Sequence, residues 1–192
     1  MADIMTTYVK VVNLTPKTFV QFKELFKTKD GVNNSYVDNL EHFTTLYGPN
    51  NMTGAWMSEH IGAKWMTIEF SHVKFSEEVE FVIESGSNVP TDYLQKLINH
   101  LTQWDKEIAL YGSYEEETYN PIGAFVYAFD YDDIEDYEGY DSKRMWDDED
   151  YCEEIKDELH DHRDSMYESY LDVKSEREDE EDDDDDYDDD ED

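Results

Sequence analysis

Apolar positions along the first 130 residues switch between two periods. "TTYVKVVNL", Thr6 to Leu14, mixes β-branched and aromatic residues in partial alternation, which predicts a strand. Thr15 before Pro16 reads as an N-cap with a first-turn proline, and Phe19, Phe22, Leu25 and Phe26 then recur at helical spacing to about Lys27. "TKDGVNNS" is turn chemistry. Helical spacing resumes in Val37, Leu40, Phe43 and Leu46 and stops at Gly48-Pro49. "NNMTGAWMSEHIG" predicts one more short helix, capped by Thr53 and closed by Gly62.

"KWMTIEFSHVKF" and "EEVEFVIES", divided by a polar turn around Ser76, predict an antiparallel hairpin. "VPTDYLQKLINHLTQW" opens on a Thr91 cap and sets Tyr93, Leu94, Leu97, Ile98 and Leu101 on one face. "KEIALYGSYEEE" and, past the Asn120-Pro121 turn, "GAFVYAFDY" are two further strands. The order is βαββαβ with inserted helices and an extra strand. It folds most simply as an α+β domain over 1–132, a ferredoxin-like split βαββαβ antiparallel sheet with helices on one face.

"GAWMSEHIGAKW", Gly54 to Trp65, together with the hairpin, the following helix and the Tyr-Asn-Pro corner, resembles a bacteriophage family of ferredoxin-like proteins over roughly residues 5–130. The family pattern is a tryptophan-bearing helix ending in glycine, then a lysine and a second tryptophan entering a strand; Trp56, Gly62, Lys64 and Trp65 occupy those positions. The resemblance implies phage origin and a small host-directed or accessory role. It brings no catalytic residues with it, and it does not extend into the last third of the chain.

That third has its own organisation. Residues 133–146 read as an acidic linker carrying Ile134, Tyr137 and Tyr140. In 147–175, Tyr151, Ile155, Leu159, His162, Met166, Tyr170 and Val173 are spaced by four, four, three, four, four and three, an eleven-residue repeat close to the period of an undistorted helix. So acidic a helix gains little from internal pairs, so its stripe must dock on its own domain, a second copy of the chain or a target. Residues 176–192, an Asp/Glu tail without a stripe, read as disordered.

Charge then narrows the partners. The 192 residues hold 51 acids and 15 bases, net -36, divided as -10 over residues 1–132 and -26 over 133–192. Direct binding to nucleic acid or an anionic membrane is disfavoured, and basic protein surfaces are attracted. Cys152 is the only cysteine, which excludes an intrachain disulfide and a zinc framework. "MADIMTTYVKVV" lacks a signal-peptide pattern and no window reaches a membrane span. The expected location is a reducing cytoplasm, that of the host bacterium for a phage protein.

Candidate chemistry is sparse. His160 and His162 beside Asp157, Glu158 and Asp161 stand i, i+2, the wrong spacing for a shared metal, and read as a solvated helix face. No stretch fits a calcium loop with its glycine at position six. Glu115, Glu116 and Glu117, near Glu107, read as a charged strand edge rather than an acid/base pair. Cys152 lies in an acidic field that blunts its reactivity. No cofactor is expected, and enzyme is the weakest class.

The expected partner-binding groups are therefore carboxylates and tyrosines. Asp147, Asp148, Asp150, Glu153 and Glu154 begin the row, and Asp157, Glu158, Asp161, Asp164 and Glu168 continue it; Tyr137, Tyr140, Tyr151, Tyr167 and Tyr170 are rigid aromatic anchors, unless they pack the helix on its own domain. An α-helix advances about 1.5 Å per residue and duplex DNA carries one charge per about 1.7 Å, so the row is expected to approach duplex charge density. The first expectation is an acidic nucleic-acid mimic that blocks a basic DNA- or RNA-binding host enzyme, whether a defence protein, a toxin or transcription machinery. The alternative is a protein-binding accessory module, an adaptor or an acidic chaperone, whose tail supplies solubility and steering.

Overall fold

The structure, a computed structural model, describes residues 3–26, 35–36, 39–49, 52–70 and 78–184, with backbone alone for 35–36, 39–41 and 178–184. Among the described residues seven strands form one sheet: β1 (Ile4–Val12), β2 (Ser35–Tyr36), β3 (Met66–Phe70), β4 (Val79–Gly86), β5 (Ala109–Glu116), β6 (Ile122–Ala128) and β7 (Tyr131–Asp136). Their order is β2-β3-β4-β1-β5-β6-β7, and every neighbouring pair is antiparallel. The helices are α1 (Pro16–Phe26), α2 (Asn39–Tyr47), α3 (Gly54–His60), α4 (Thr91–Leu101), α5 (Ser142–Asp147) and α6 (Glu149–Asp184). The predicted turn at 28–35 and the hairpin turn around Ser76 fall almost wholly outside the described residues.

Strand alternation sorts the side chains between two layers. Met5, Val9 and Val11 of β1, with Ile68, Phe81 and Ile83, face a core closed by Phe22 and Phe26 of α1, Phe43 of α2 and Tyr93, Leu94 and Leu97 of α4. Local signals set these helices. Thr15 and Thr18 cap α1 reciprocally: Thr18 N–H donates to Thr15 Oγ1 at 3.2 Å and Thr15 N–H to Thr18 Oγ1 at 2.8 Å. Thr53 accepts from Trp56 N–H to start α3, and Gly62 ends that segment at a φ of +85°. At α4 the cap position is Pro90, without a side-chain bond, and Thr91 is the first helical residue rather than the cap.

The other face departs from the expectation of helices on one side only. α6 crosses β5 and β6 on the face opposite α1 and α4, giving helix, sheet and helix layers. β6, "IGAFVYA", is buried on both faces and accordingly reads as one apolar run. Ala109, Ala124 and Ala128 make a shallow trough that Met166 and Tyr170 fill.

Two expectations about the acidic third are corrected. Residues 133–146 are not a linker throughout: 133–136 belong to edge strand β7, paired with β6 through Phe125↔Ile134 and Val126↔Asp133, 142–146 belong to α5, and 137–141 join the two. β7 lacks an apolar period because an edge strand is held by its backbone ladder, and its charges discourage further pairing. Residues 176–184, expected as disordered, continue α6 to Asp184; residues 185–192 lie outside the described residues.

Candidate functional site

The acidic surface is built from α5 and α6. Asp141 caps α5, accepting from the backbone N–H of Lys143 and Arg144 at 3.0 and 3.1 Å. Asp148 starts α6 by accepting from Tyr151 N–H at 3.1 Å, and Arg144 holds its carboxylate at 3.1 Å. The Tyr151 amide first, then Arg144, lower the Asp148 pKa below the usual carboxylate range. Asp148 is thus committed to the turn between the helices.

The α6 stripe docks on the protein's own sheet. Ile155 and Leu159 bury against Ile122 and Met145, and Met166 and Tyr170 against Val12, Tyr111 and Val126. This corrects the reading of the tyrosines as outward anchors. Tyr167 stacks on Tyr111 with centroids 4.3 Å apart, and Tyr170 packs on Tyr131 at 5.1 Å. Tyr137 lies against Tyr140 and His162, and its hydroxyl donates to Glu158 at 2.7 Å. Tyr151 lies beneath the Arg144 guanidinium, 4.0 Å from its ring centroid, and its hydroxyl accepts from Asp141 N–H at 3.0 Å. All five are spent on packing α5 and α6, because apolar surface is worth more buried than exposed.

An acidic helix on an acidic sheet needs its cations at the seam. Lys156 reaches Glu115 at 3.3 Å, Lys174 pairs with Glu107, and Arg177 donates to the Asp130 carbonyl at 3.4 Å; the His162 ring sits among them, 3.5 Å from Glu135. Arg163 instead pairs with its neighbour Asp164 at 2.7 Å. His162 is therefore half-buried at the seam, not part of a solvated face, while His160, two residues earlier, is exposed. Among the described residues no group of three or more His, Cys, Asp or Glu is placed to hold a metal ion.

Glu115–Glu117 also stand differently from the expectation. β5 lies inside the sheet between β1 and β6, so these residues mark a strand end and not a sheet edge. Glu115 accepts from the Tyr8 hydroxyl at 3.1 Å, and buried Glu116 fixes the following turn by accepting from the amide and hydroxyl of Thr118. Burial first, then Glu115, raise the Tyr8 phenol to about 12, which keeps it a donor at neutral pH.

What remains outward is a row of carboxylates. Asp147, Asp150, Glu153, Glu154, Asp157, Glu158, Asp161, Asp164 and Glu168 are exposed. From Glu149 to Arg177 the helix carries eleven acids, one per about 4 Å of axis. That is the spacing of one DNA strand, about 3.4 Å, rather than of the duplex. The expectation of duplex density from the helix alone is too high; Asp133 and Glu135 on β7, on the sheet face that carries α6, provide more negative charge. Sequence reasoning missed Trp146 on α5, which is 59 % exposed. Its position just ahead of the acidic run was the available signal.

No protein-family model matches this chain, and no curated protein or solved structure matches it significantly. Among the described residues no helix is long and apolar enough to cross a membrane.

Proposed function

We propose that the protein is a non-enzymatic inhibitor that occupies the basic, nucleic-acid-binding surface of a partner by presenting α6 as an ordered row of negative charge. One observation carries this reading: the apolar stripe of α6 is docked on the protein's own sheet. With Ile155, Leu159, Met166 and Tyr170 buried, Glu153, Asp157, Asp161, Asp164 and Glu168 point outward from a supported helix. A preorganised array avoids the ordering cost that a flexible polyanion meets on binding. Association through it is fast and salt-sensitive. The phage resemblance directs the reading toward a host enzyme that acts on DNA or RNA, in the bacterial cytoplasm.

The test uses the full chain, because cutting at residue 132 would remove α6 and most of β7 and bare Tyr111 and Val126. Partners are captured from host lysate by the wild-type chain and by Asp157→Asn/Asp161→Asn/Asp164→Asn/Glu168→Gln, at graded salt and with duplex DNA or RNA as competitor. The expected partners bind nucleic acid, are displaced by the competitor, and are lost first from the neutralised chain as salt rises. Equal capture by both chains, indifferent to competitor and salt, refutes the reading.

The uncovered half of the sheet favours the second reading, an accessory binding module. There exposed Tyr8 stands opposite half-buried Val82 on β4, at the margin of the surface that α6 covers. On that reading Tyr8→Ala removes the partner, and neutralising α6 changes only the salt dependence.

For the first domain we favour the ferredoxin-like arrangement. The order β3-β4-β1-β5 and its antiparallel sense, with helices between β1 and β3 and between β4 and β5, support a split βαββαβ unit. β2 extends one edge, and β6 and β7 extend the other.

A further inference from the structure

Among the described residues Trp146 is the most exposed large apolar side chain, at 59 %. Its support is rigid. Asp141 caps α5, neighbouring Met145 is buried, and the Arg144–Asp148 pair ties α5 to the start of α6. The Tyr119 ring lies 5.8 Å from the indole, so the β5–β6 turn backs it on one side. A tryptophan held this way presents an aromatic face without a large entropic cost, as interface hot spots do.

The surroundings select what that face takes. Asp147 follows it directly, Glu149 and Asp150 form the first turn of α6, and Glu117 stands in the turn that bears Tyr119; these carboxylates outnumber the two lysines of the corner, Lys143 on α5 and Lys156, which lies 5.3 Å from the Tyr119 ring centroid. An electron-rich ring in a negative field attracts a cation, and indole is the best aromatic partner for one. A guanidinium suits the arrangement better than an ammonium because it is planar, weakly hydrated and able to pair with a carboxylate while stacking. The same corner already contains this contact: the Arg144 guanidinium sits 4.0 Å from the Tyr151 ring centroid while it pairs with Asp148 at 3.1 Å.

We propose that Trp146, backed by Tyr119 and flanked by Asp147, receives an arginine side chain of the basic partner. The proposal rests on the mimic reading and deepens it. Arginines of nucleic-acid-binding proteins stack on unstacked bases as well as pairing with phosphates. Trp146 then stands in for a base, and the α6 carboxylates stand in for phosphates.

The test measures binding of labelled oligoarginine and oligolysine peptides of equal length, by fluorescence anisotropy at low salt. The full-length chain is compared with Trp146→Ala and Trp146→Phe; the side chain is exposed, and circular dichroism verifies that both variants keep their helix content. Oligoarginine should bind the wild-type chain more tightly than oligolysine. Trp146→Ala should weaken oligoarginine by about two- to fivefold, leave oligolysine unchanged, and be partly rescued by Trp146→Phe. No loss, or equal loss for both peptides, overturns the assignment while the acidic row still binds. Failure of the wild-type chain to bind either peptide overturns the mimic reading itself, and this assignment with it.

Discussion

Leu159→Ala separates the two forces available to hold α6 on the sheet. Leu159 is 4 % exposed and packs with Ile122, Met145 and Ile155. Truncating a buried leucine costs about 2–5 kcal/mol, and a site at the sheet surface beside a groove can partly collapse, which places this one at about 2–3 kcal/mol. The ion pairs along the same seam are partly exposed; Lys156 and Glu115 keep 39 % and 17 % of their side-chain surface open. Removing such a pair costs at most about 1 kcal/mol. Every 1.4 kcal/mol or so is a factor of ten in an equilibrium. Native-state hydrogen exchange should therefore show α6 amide protection falling by about 30- to 140-fold in Leu159→Ala, and by no more than about fivefold in Lys156→Ala. An undisturbed α6 in Leu159→Ala, or an equal effect from Lys156→Ala, would show that charge rather than the stripe holds the helix. The basis for a fixed carboxylate row would then be gone.

Three further outcomes follow from the same geometry. A neutral His42 with its proton on Nδ1 donates to the Leu25 carbonyl at 3.2 Å and accepts from the Tyr93 hydroxyl at 2.9 Å, and burial lowers its pKa to about 4. The unfolded chain takes up this proton near pH 6.5 and the folded one resists it to about 4, so the stability it contributes is full above about 6.5 and falls by about 3 kcal/mol as pH drops to about 4. Carboxylate protonation relieves repulsion in the same range, so ring NMR is the clean readout, and titration near 6.5 would contradict the burial argument. Gly112→Ala should cost about 3 kcal/mol or more in urea unfolding, because a Cβ there would overlap the Tyr8 carbonyl and come within 2.7 Å of the Phe125 ring; a loss below about 1 kcal/mol would mean that β1 and β5 adjust freely. Raising salt from about 10 to about 150 mM shortens the screening length from about 30 to about 8 Å. With a net charge of -36, self-repulsion outweighs the few pairs, so Tm should rise; a falling Tm would show that the seam pairs dominate.

The elements legible in the sequence are those whose signal is local. Tyr93, Leu94, Leu97, Ile98 and Leu101 share one helix face whatever lies opposite, and all five are buried. Thr15, Thr53 and Gly62 mark helix ends through bonds or backbone angles within a few residues. The stripe of α6 was legible for the same reason, as a period along one helix. Its destination was not. The trough of Ala109, Ala124 and Ala128 becomes a binding surface only when β5 and β6 lie side by side with their small residues on one face. β7 carries no period of its own and exists through the backbone edge of β6. A tyrosine among acids has the same local pattern whether it faces a partner or its own sheet, and Tyr167 meets Tyr111 across 55 intervening positions. The seam cations find Glu115 and Glu107 at sequence separations that no window spans. Composition alone settles that the net charge is strongly negative, since net charge is a sum over residues. Which carboxylates face outward as a row is settled by the docking of one apolar stripe, because burying that side of α6 leaves the other side as surface.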